Sequence, residues 1–234
     1  MSWWPFATVF LVALLAALLG TPLAGLVGRR FGLVDRPGPR RWHSGIIPRT
    51  GGIALFVAFL SAALLAQWLP VPRQDPKELT RFVGIALGSV FVFVFGLLDD
   101  RLDLPPLPQY VAQAIAAGIA IIFLVFIERV MNPFTNQVLV FPFGLVVVLT
   151  LFWVMGMINT INFLDGVDGL AGGVTAIVSA VLAIHMLREG QYSVALLPLA
   201  LLGATLGFLP FNFYPARVFM GSSGSWLLGY ALAT

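Results

Sequence analysis

The sequence predicts an all-α fold, a polytopic bundle of transmembrane helices, and three observations carry that prediction. Hydrophobic residues make up 59% of the 234-residue chain and charged residues 10%, whereas roughly a quarter of an ordinary soluble domain is charged. Apolar runs long enough to cross a bilayer recur along the whole chain. The unusual polar residues gather in the connections between those runs. Cysteine is absent, so neither a disulfide framework nor a thiolate metal site is available. A formal net charge of +3 is too small to point to nucleic acid, and the expected surroundings are the lipid bilayer.

A span needs roughly 20 apolar residues. The first candidate, Trp3–Val27, follows "MSWWPF", which has no basic segment, and reads as a retained helix rather than a cleaved signal. Trp3 and Trp4 at its start, Trp68 at the end of Gly51–Leu69, and Trp153 suit interfacial anchors. Phe82–Leu98 and Gln109–Ile127 flank an acidic connection, and Val138–Ile158 and Leu170–Leu187 flank one rich in Asn and Asp. Val194–Phe211 carries Pro198, which membrane helices tolerate. An eighth run begins at Trp226 behind a polar turn, "GSSGS", and stops after nine residues, too few to cross. Residues 1–234 therefore read as one integral-membrane domain with seven complete spans and a truncated eighth.

The connections sort into two sets by parity. Arg29–Thr50, Asp99–Pro108, Asn159–Gly169 and Asn212–Gly221 hold eight of the thirteen basic residues, six of them in the first. By the positive-inside rule that set is cytoplasmic and the N-terminus lies outside. Asp99, Asp100, Asp103, Asn159, Asn162, Asp165 and Asp168 fall on the same side. The opposite connections, among them "ERVMNPFTNQ", read as plain solvated links.

Three stretches carry chemistry. "VDRPGPRRWHSGIIPRTGG" mixes Arg36, Arg40, Arg41, His43 and Arg49 with turn-forming Pro and Gly. It suits either an orientation signal touching anionic headgroups or an anion cradle, since Arg forks fit phosphate. "LLDDRLDL" sets Asp99 and Asp100 side by side at the C-terminal end of an apolar helix, where the macrodipole opposes them. Such a pair is either solvated by headgroup water or used to hold a cation. In "NTINFLDGVDGLAGG" the residues Asn159, Asn162, Asp165 and Asp168 recur at every third position. A continuous helix would wind them round its axis by about 60° per step, so Gly166 and Gly169 are the expected break that lets neighbours face one cavity. Asp168 also suits an N-cap for the run from Leu170. Oxygen donors of this kind favour Mg²⁺ over zinc. His185 reads as a packed or headgroup-level histidine.

Together with "PARVFMGSSGSWLLG", these motifs resemble the polyprenyl-phosphate N-acetylhexosamine-1-phosphate transferases, integral membrane enzymes of bacterial envelope synthesis (the glycosyltransferase 4 type). "PRTGG" after "RRWH" is most similar to the undecaprenyl-phosphate N-acetylglucosamine-1-phosphate transferase branch. The resemblance implies transfer of a sugar-1-phosphate from a UDP-N-acetylhexosamine to undecaprenyl phosphate, releasing UMP. It implies Mg²⁺, with Mn²⁺ as a substitute, and an active site on the cytoplasmic side of the inner membrane, and it leaves a homodimer open. Carried over by position, Asp99 activates the acceptor phosphate and Asp100 belongs to the metal environment. Asn159, Asn162, Asp165 and Asp168 organise the nucleotide and the metal, with Asp165 a ligand. Arg36, His43 and Arg49 contact phosphate.

Two departures stand against that pattern. The family's last motif reads Gly-Asp-x-Gly-Ser, with its Asp a metal ligand, and here Ser222 holds that position. Family members also continue into further spans and a His-rich loop, so the chain is expected to be C-terminally truncated relative to them. A catalytically impaired or fragmentary homologue is the alternative these departures raise. An ion-coupled transporter is a further one, opposed by the clustering of carboxylates at one face rather than at the midplane.

Overall fold

Eight helices and two short antiparallel ribbons make up the described residues of the computed structural model, which are 2–35, 45–132 and 134–234. The helices are α1 (Trp4–Phe31), α2 (Gly51–Ala66), α3 (Glu78–Leu102), α4 (Pro106–Ile122), α5 (Phe143–Leu164), α6 (Leu170–Arg188), α7 (Leu196–Asn212) and α8 (Gly221–Ala233). Each of the seven expected spans overlaps one helix. Helices α1, α3, α5 and α6 are long and apolar enough to cross a membrane, whereas α2, α4 and α7 are shorter apolar helices.

The expected span Val138–Ile158 is corrected at both ends. Val138–Val140 is a strand, β4, paired with β3 (Arg129–Met131) in the register Val130↔Leu139. The "plain link" before it is therefore half of a hairpin. Pro142, extended at φ −65 and ψ 149, ends the strand segment and precedes α5, as its fixed φ and missing N–H dictate. The helix then runs on to Leu164, so Asn159 and Asn162 sit in its last turns rather than in a loop. Helix α4 likewise stops at Ile122, short of the expected Ile127, with Leu124 at φ 65.

Two apolar cores share one helix. Residues of α1, α2 and α7 pack with Leu227 and Leu228, while residues of α3, α4 and α5 pack with Trp226 and Tyr230. Helix α8, expected as a stub starting at Trp226, instead starts at Gly221 and is the centre of the bundle. Small residues make that position accessible, as they do where membrane helices approach closely. A Cβ on Gly96 of α3 would lie 2.5 Å from the Ser223 Cα. The Tyr230 hydroxyl donates to the Gly84 carbonyl at 3.2 Å, tying α8 to α3 deep in the packing.

Candidate functional site

Helix α2 begins with two glycines whose N–H groups have no partner inside the helix. Gly51 N–H donates to the Phe219 carbonyl (2.9 Å) and Gly52 N–H to the Met220 carbonyl (3.0 Å), while Phe219 N–H donates to the Pro48 carbonyl (2.9 Å). The connection before α2 thus lies against the connection before α8. On its other side β1 (Val34–Asp35) pairs with β2 (Ile47–Pro48), and Arg49 N–H donates to the Leu33 carbonyl at 3.0 Å. Arg49 is fixed in this seam, with its guanidinium 3.9 Å from the Asp103 carboxylate at the end of α3.

The turn between α5 and α6 reverses through Gly169 at φ 73, a conformation glycine adopts without a Cβ clash. Asp168 does not cap α6: Gly169 holds that position and no side-chain cap bond is made. The Asp168 carboxylate accepts the Ala216 N–H at 2.9 Å instead. Buried Asn212 clips the same two segments together, accepting from Gly169 N–H and donating to the Val218 carbonyl, both at 3.1 Å.

The segment "GSSGS", expected as a polar turn, is the first turn of α8. Ser222 N–H and Ser223 N–H donate to the two Asp100 oxygens at 2.7 and 3.0 Å. Two successive amides at a helix N-terminus therefore meet a carboxylate, the charge that end of the dipole favours. This arrangement offsets the position of Asp100 at the C-terminal end of α3, where its own helix opposes it. Gly221 has φ 69, and a Cβ there would stand 2.5 Å from an Asp100 oxygen.

Asp99 is buried, at 8% exposure. Its Oδ1 accepts from Leu104 N–H (3.1 Å) and Gln109 Nε2 (2.9 Å), and its Oδ2 accepts from the Ser222 hydroxyl (2.5 Å). Asn159 donates through Nδ2 to Gln113 Oε1 on α4 at 2.6 Å. Asn162 accepts from the Ser225 hydroxyl at 2.8 Å. Gln109, Gln113 and Asn212 do not stand out in the sequence as site residues. Only the left-handed turn at Asp103 and the α4–α5 packing bring the glutamines to their partners.

A cavity of about 1060 Å³ opens over these elements, lined by Arg29, Arg49, Asn162, Asp165, Asp168, Arg217 and Ser222 among others. Asp99, Asp100 and Asn159 are not among the described residues lining it. Arg36 and His43 lie outside the described residues. The three-residue pattern thus splits, with Asn162, Asp165 and Asp168 on the cavity and Asn159 turned to Gln113 of α4, as the drift of such steps round a helix requires. Desolvation lifts the Asp165 carboxyl well above the ordinary carboxylate range, and repulsion from Asp100 adds to the rise. Arg49 and the Gly221 amide pull the other way.

Among the described residues no three acidic or imidazole side chains form a metal cage. Asp100, Asp165 and the Ser222 hydroxyl nevertheless supply hard oxygen donors, and each bonded Asp100 oxygen keeps a further lone pair. Two carboxylates and a hydroxyl suit a hard divalent cation that completes its shell with water and phosphate oxygens. The donor set fits such an ion.

The family model for glycosyl transferase family 4 matches residues 82–234. A probable undecaprenyl-phosphate N-acetylglucosaminyl 1-phosphate transferase of Bacillus subtilis (strain 168) is 35% identical over 227 residues, covering 96% of this chain and 60% of that protein. A decaprenyl-phosphate N-acetylglucosaminephosphotransferase of Mycolicibacterium smegmatis is 34% identical over 249 residues, covering 97% of this chain and 59% of that protein. An undecaprenyl-phosphate alpha-N-acetylglucosaminyl 1-phosphate transferase of Escherichia coli (strain K12) is 30% identical over 215 residues, covering 88% and 55%. The chain spans somewhat over half the length of these curated relatives. With the matched region running from within α3 through α8, and with it both aspartate motifs, the chain belongs to glycosyl transferase family 4.

Proposed function

We propose that the chain carries the site that transfers N-acetylglucosamine-1-phosphate, or a related N-acetylhexosamine-1-phosphate, from a UDP-sugar to undecaprenyl phosphate. An oxygen of the acceptor phosphate attacks the sugar-bearing phosphorus. The bond from that phosphorus to the bridging oxygen breaks, and UMP leaves with the electron pair. One observation carries the reading: Arg29, Arg49 and Arg217 share a single cavity with Asp165, Asp168 and Asn162. Mixed charge of this kind suits two phosphorylated substrates, which repel each other and need neutralisation and alignment more than a strong base.

The three arginines hold and orient the diphosphate by their planar forks, with Arg36 and His43 proposed to add contacts from the connection before Arg49. Asn162 and Asp168 shape the nucleotide end, the first from α5 and the second by bracing the segment at Ala216. Asn159 supports α5 through Gln113. The acceptor phosphate is already largely ionised at neutral pH, its second pKa being about 6, so Asp99 has little deprotonation to perform. Asp100, Asp165 and Ser222 would hold Mg²⁺, for which Mn²⁺ can substitute, and the bound ion supplies neutralisation of charge developing on the transferred phosphoryl group.

The same reading places the chain in the bacterial inner membrane with its N-terminus outside, seven crossings, and the cavity on the cytoplasmic side where UDP-sugars reside. The arginine-rich connection before α2 supports that orientation. A homodimer is compatible with it. A second reading, a catalytically impaired homologue, is favoured by Ser222 at the position where the family motif has Asp. Purified chain incubated with UDP-N-acetylglucosamine, undecaprenyl phosphate and Mg²⁺ separates the two. UMP release with formation of lipid-linked sugar supports transfer, and its absence here alongside activity of Ser222→Asp supports impairment.

A further inference from the structure

Ser222 is in an unusual position for a helix-initiating serine. Its N–H is taken by Asp100, and its hydroxyl donates to Asp99 at 2.5 Å rather than turning back to an amide of its own helix. It lines the cavity, whereas Asp99 is not among the described residues that do. We propose that the Ser222 hydroxyl is a cation ligand and that Asp99 is the positioning residue that makes it one, acting through this hydrogen bond. The proposal rests on the metal-dependent reading given above and extends it to a carboxylate that does not reach the cavity.

The geometry of Asp99 suits that task. Leu104 N–H and Gln109 Nε2 fix its Oδ1, so the carboxylate cannot rotate away from Ser222. Gln109 is itself anchored, donating to the Leu104 carbonyl at 2.8 Å. A hydrogen bond to a carboxylate at this length is charge-assisted and shifts electron density onto the donor oxygen. That oxygen keeps two lone pairs after donating its proton. Partners of this kind raise the basicity of a metal ligand, and their removal typically lowers affinity about 10–100-fold. Asp99 thereby delivers through a hydroxyl part of the negative charge that a carboxylate at position 222 would deliver directly.

The probe is Mn²⁺ alone, titrated into the detergent-solubilised full chain and followed by the electron paramagnetic resonance of the free ion. Ser222→Ala and Asp99→Asn are each expected to weaken binding about 10–100-fold. The double variant should be no weaker than the poorer single one, since both remove the same ligand. Ser222→Asp should bind at least as tightly as the parent. In that background Asp99→Asn should cost nothing or tighten binding, because it separates two facing carboxylates. Thermal melts confirm folding, and the Ser222→Asp pair carries the test if a neutral variant fails to fold. Unchanged affinity in folded Asp99→Asn, or an equal loss in both backgrounds, overturns the proposal while leaving the metal-dependent reading intact. Parent protein that binds no Mn²⁺ overturns both.

Discussion

The Asp168 carboxylate accepts the Ala216 N–H across 2.9 Å, joining the turn between α5 and α6 to the turn between α7 and α8. The acid is half-buried and its partner lies forty-eight residues along the chain. A hydrogen bond to a charged acceptor contributes about 1.5–3 kcal/mol. Asp168→Ala should therefore lower the stability of the purified chain by about that amount, read by denaturant or thermal unfolding in detergent. Asp168→Asn keeps an acceptor oxygen and should lose less. Equal losses in the two variants would show that the bond to Ala216 contributes little.

Gly221 has no room for a side chain beside the Asp100 carboxylate. Its φ of 69 disfavours any L residue, by about 1–2 kcal/mol, and an added methyl would meet the Asp100 carboxylate at 2.5 Å. Gly221→Ala is expected to abolish transfer and to weaken Mn²⁺ binding by at least tenfold, while the bundle still melts cooperatively. Retained Mn²⁺ affinity would mean that Asp100 can shift without consequence.

The raised Asp165 carboxyl fixes the sign of one pH effect. Its folded-state value lies above its unfolded value, so the folded chain binds this proton more tightly than the unfolded one. The resulting stabilisation is fully present below the unfolded value near pH 3.9 and disappears as pH rises through the folded value. In chelator, Asp165→Asn should therefore have a flatter melting profile against pH than the parent and a higher melting temperature at the alkaline end. A parallel pair of profiles would remove desolvation as the controlling influence on this group.

Trp226 is fully buried at the junction of the two cores. Truncation of a buried Trp costs about 3–5 kcal/mol, and Trp226→Ala should lose at least that, measured by unfolding in detergent. The equivalent change at Trp68, 79% exposed beyond the end of α2, should be near neutral. A small effect at Trp226 would contradict its placement at the centre of the bundle.

Helix number and most helix positions are legible in the sequence because apolar runs and Gly or Pro punctuation report directly on local structure. The start of α5 is not, since Val138–Val140 has the same apolar character as the helix after Pro142, and only pairing with Arg129–Met131 makes it a strand. The aspartate motifs also stand out, because carboxylates are costly beside hydrocarbon. Their division of labour does not stand out. Asp165 and Asp168 line the cavity while Asp99 and Asp100 are bonded to the start of α8, and that difference arises from α8 packing against α3. Gln109 and Gln113 are single amides in an apolar helix, and nothing local marks them as partners of Asp99 and Asn159. The centrality of α8 is hidden for a related reason: a short helix becomes central only when glycines on its neighbours let it in.

The backbone bonds from Gly51 and Gly52 to Phe219 and Met220 set an order of events during biosynthesis. When α1 and α2 leave the ribosome, the start of α2 must rely on water or headgroups for those two amides. Their permanent acceptors are translated about 170 residues later, at an elongation rate of about 5–20 residues per second. For that interval, some tens of seconds at the slower rate, the start of α2 lacks both of these acceptors. The Arg29 and Arg49 side of the cavity is therefore synthesised early, and it is closed only when the segment through Phe219 and Ser222 arrives.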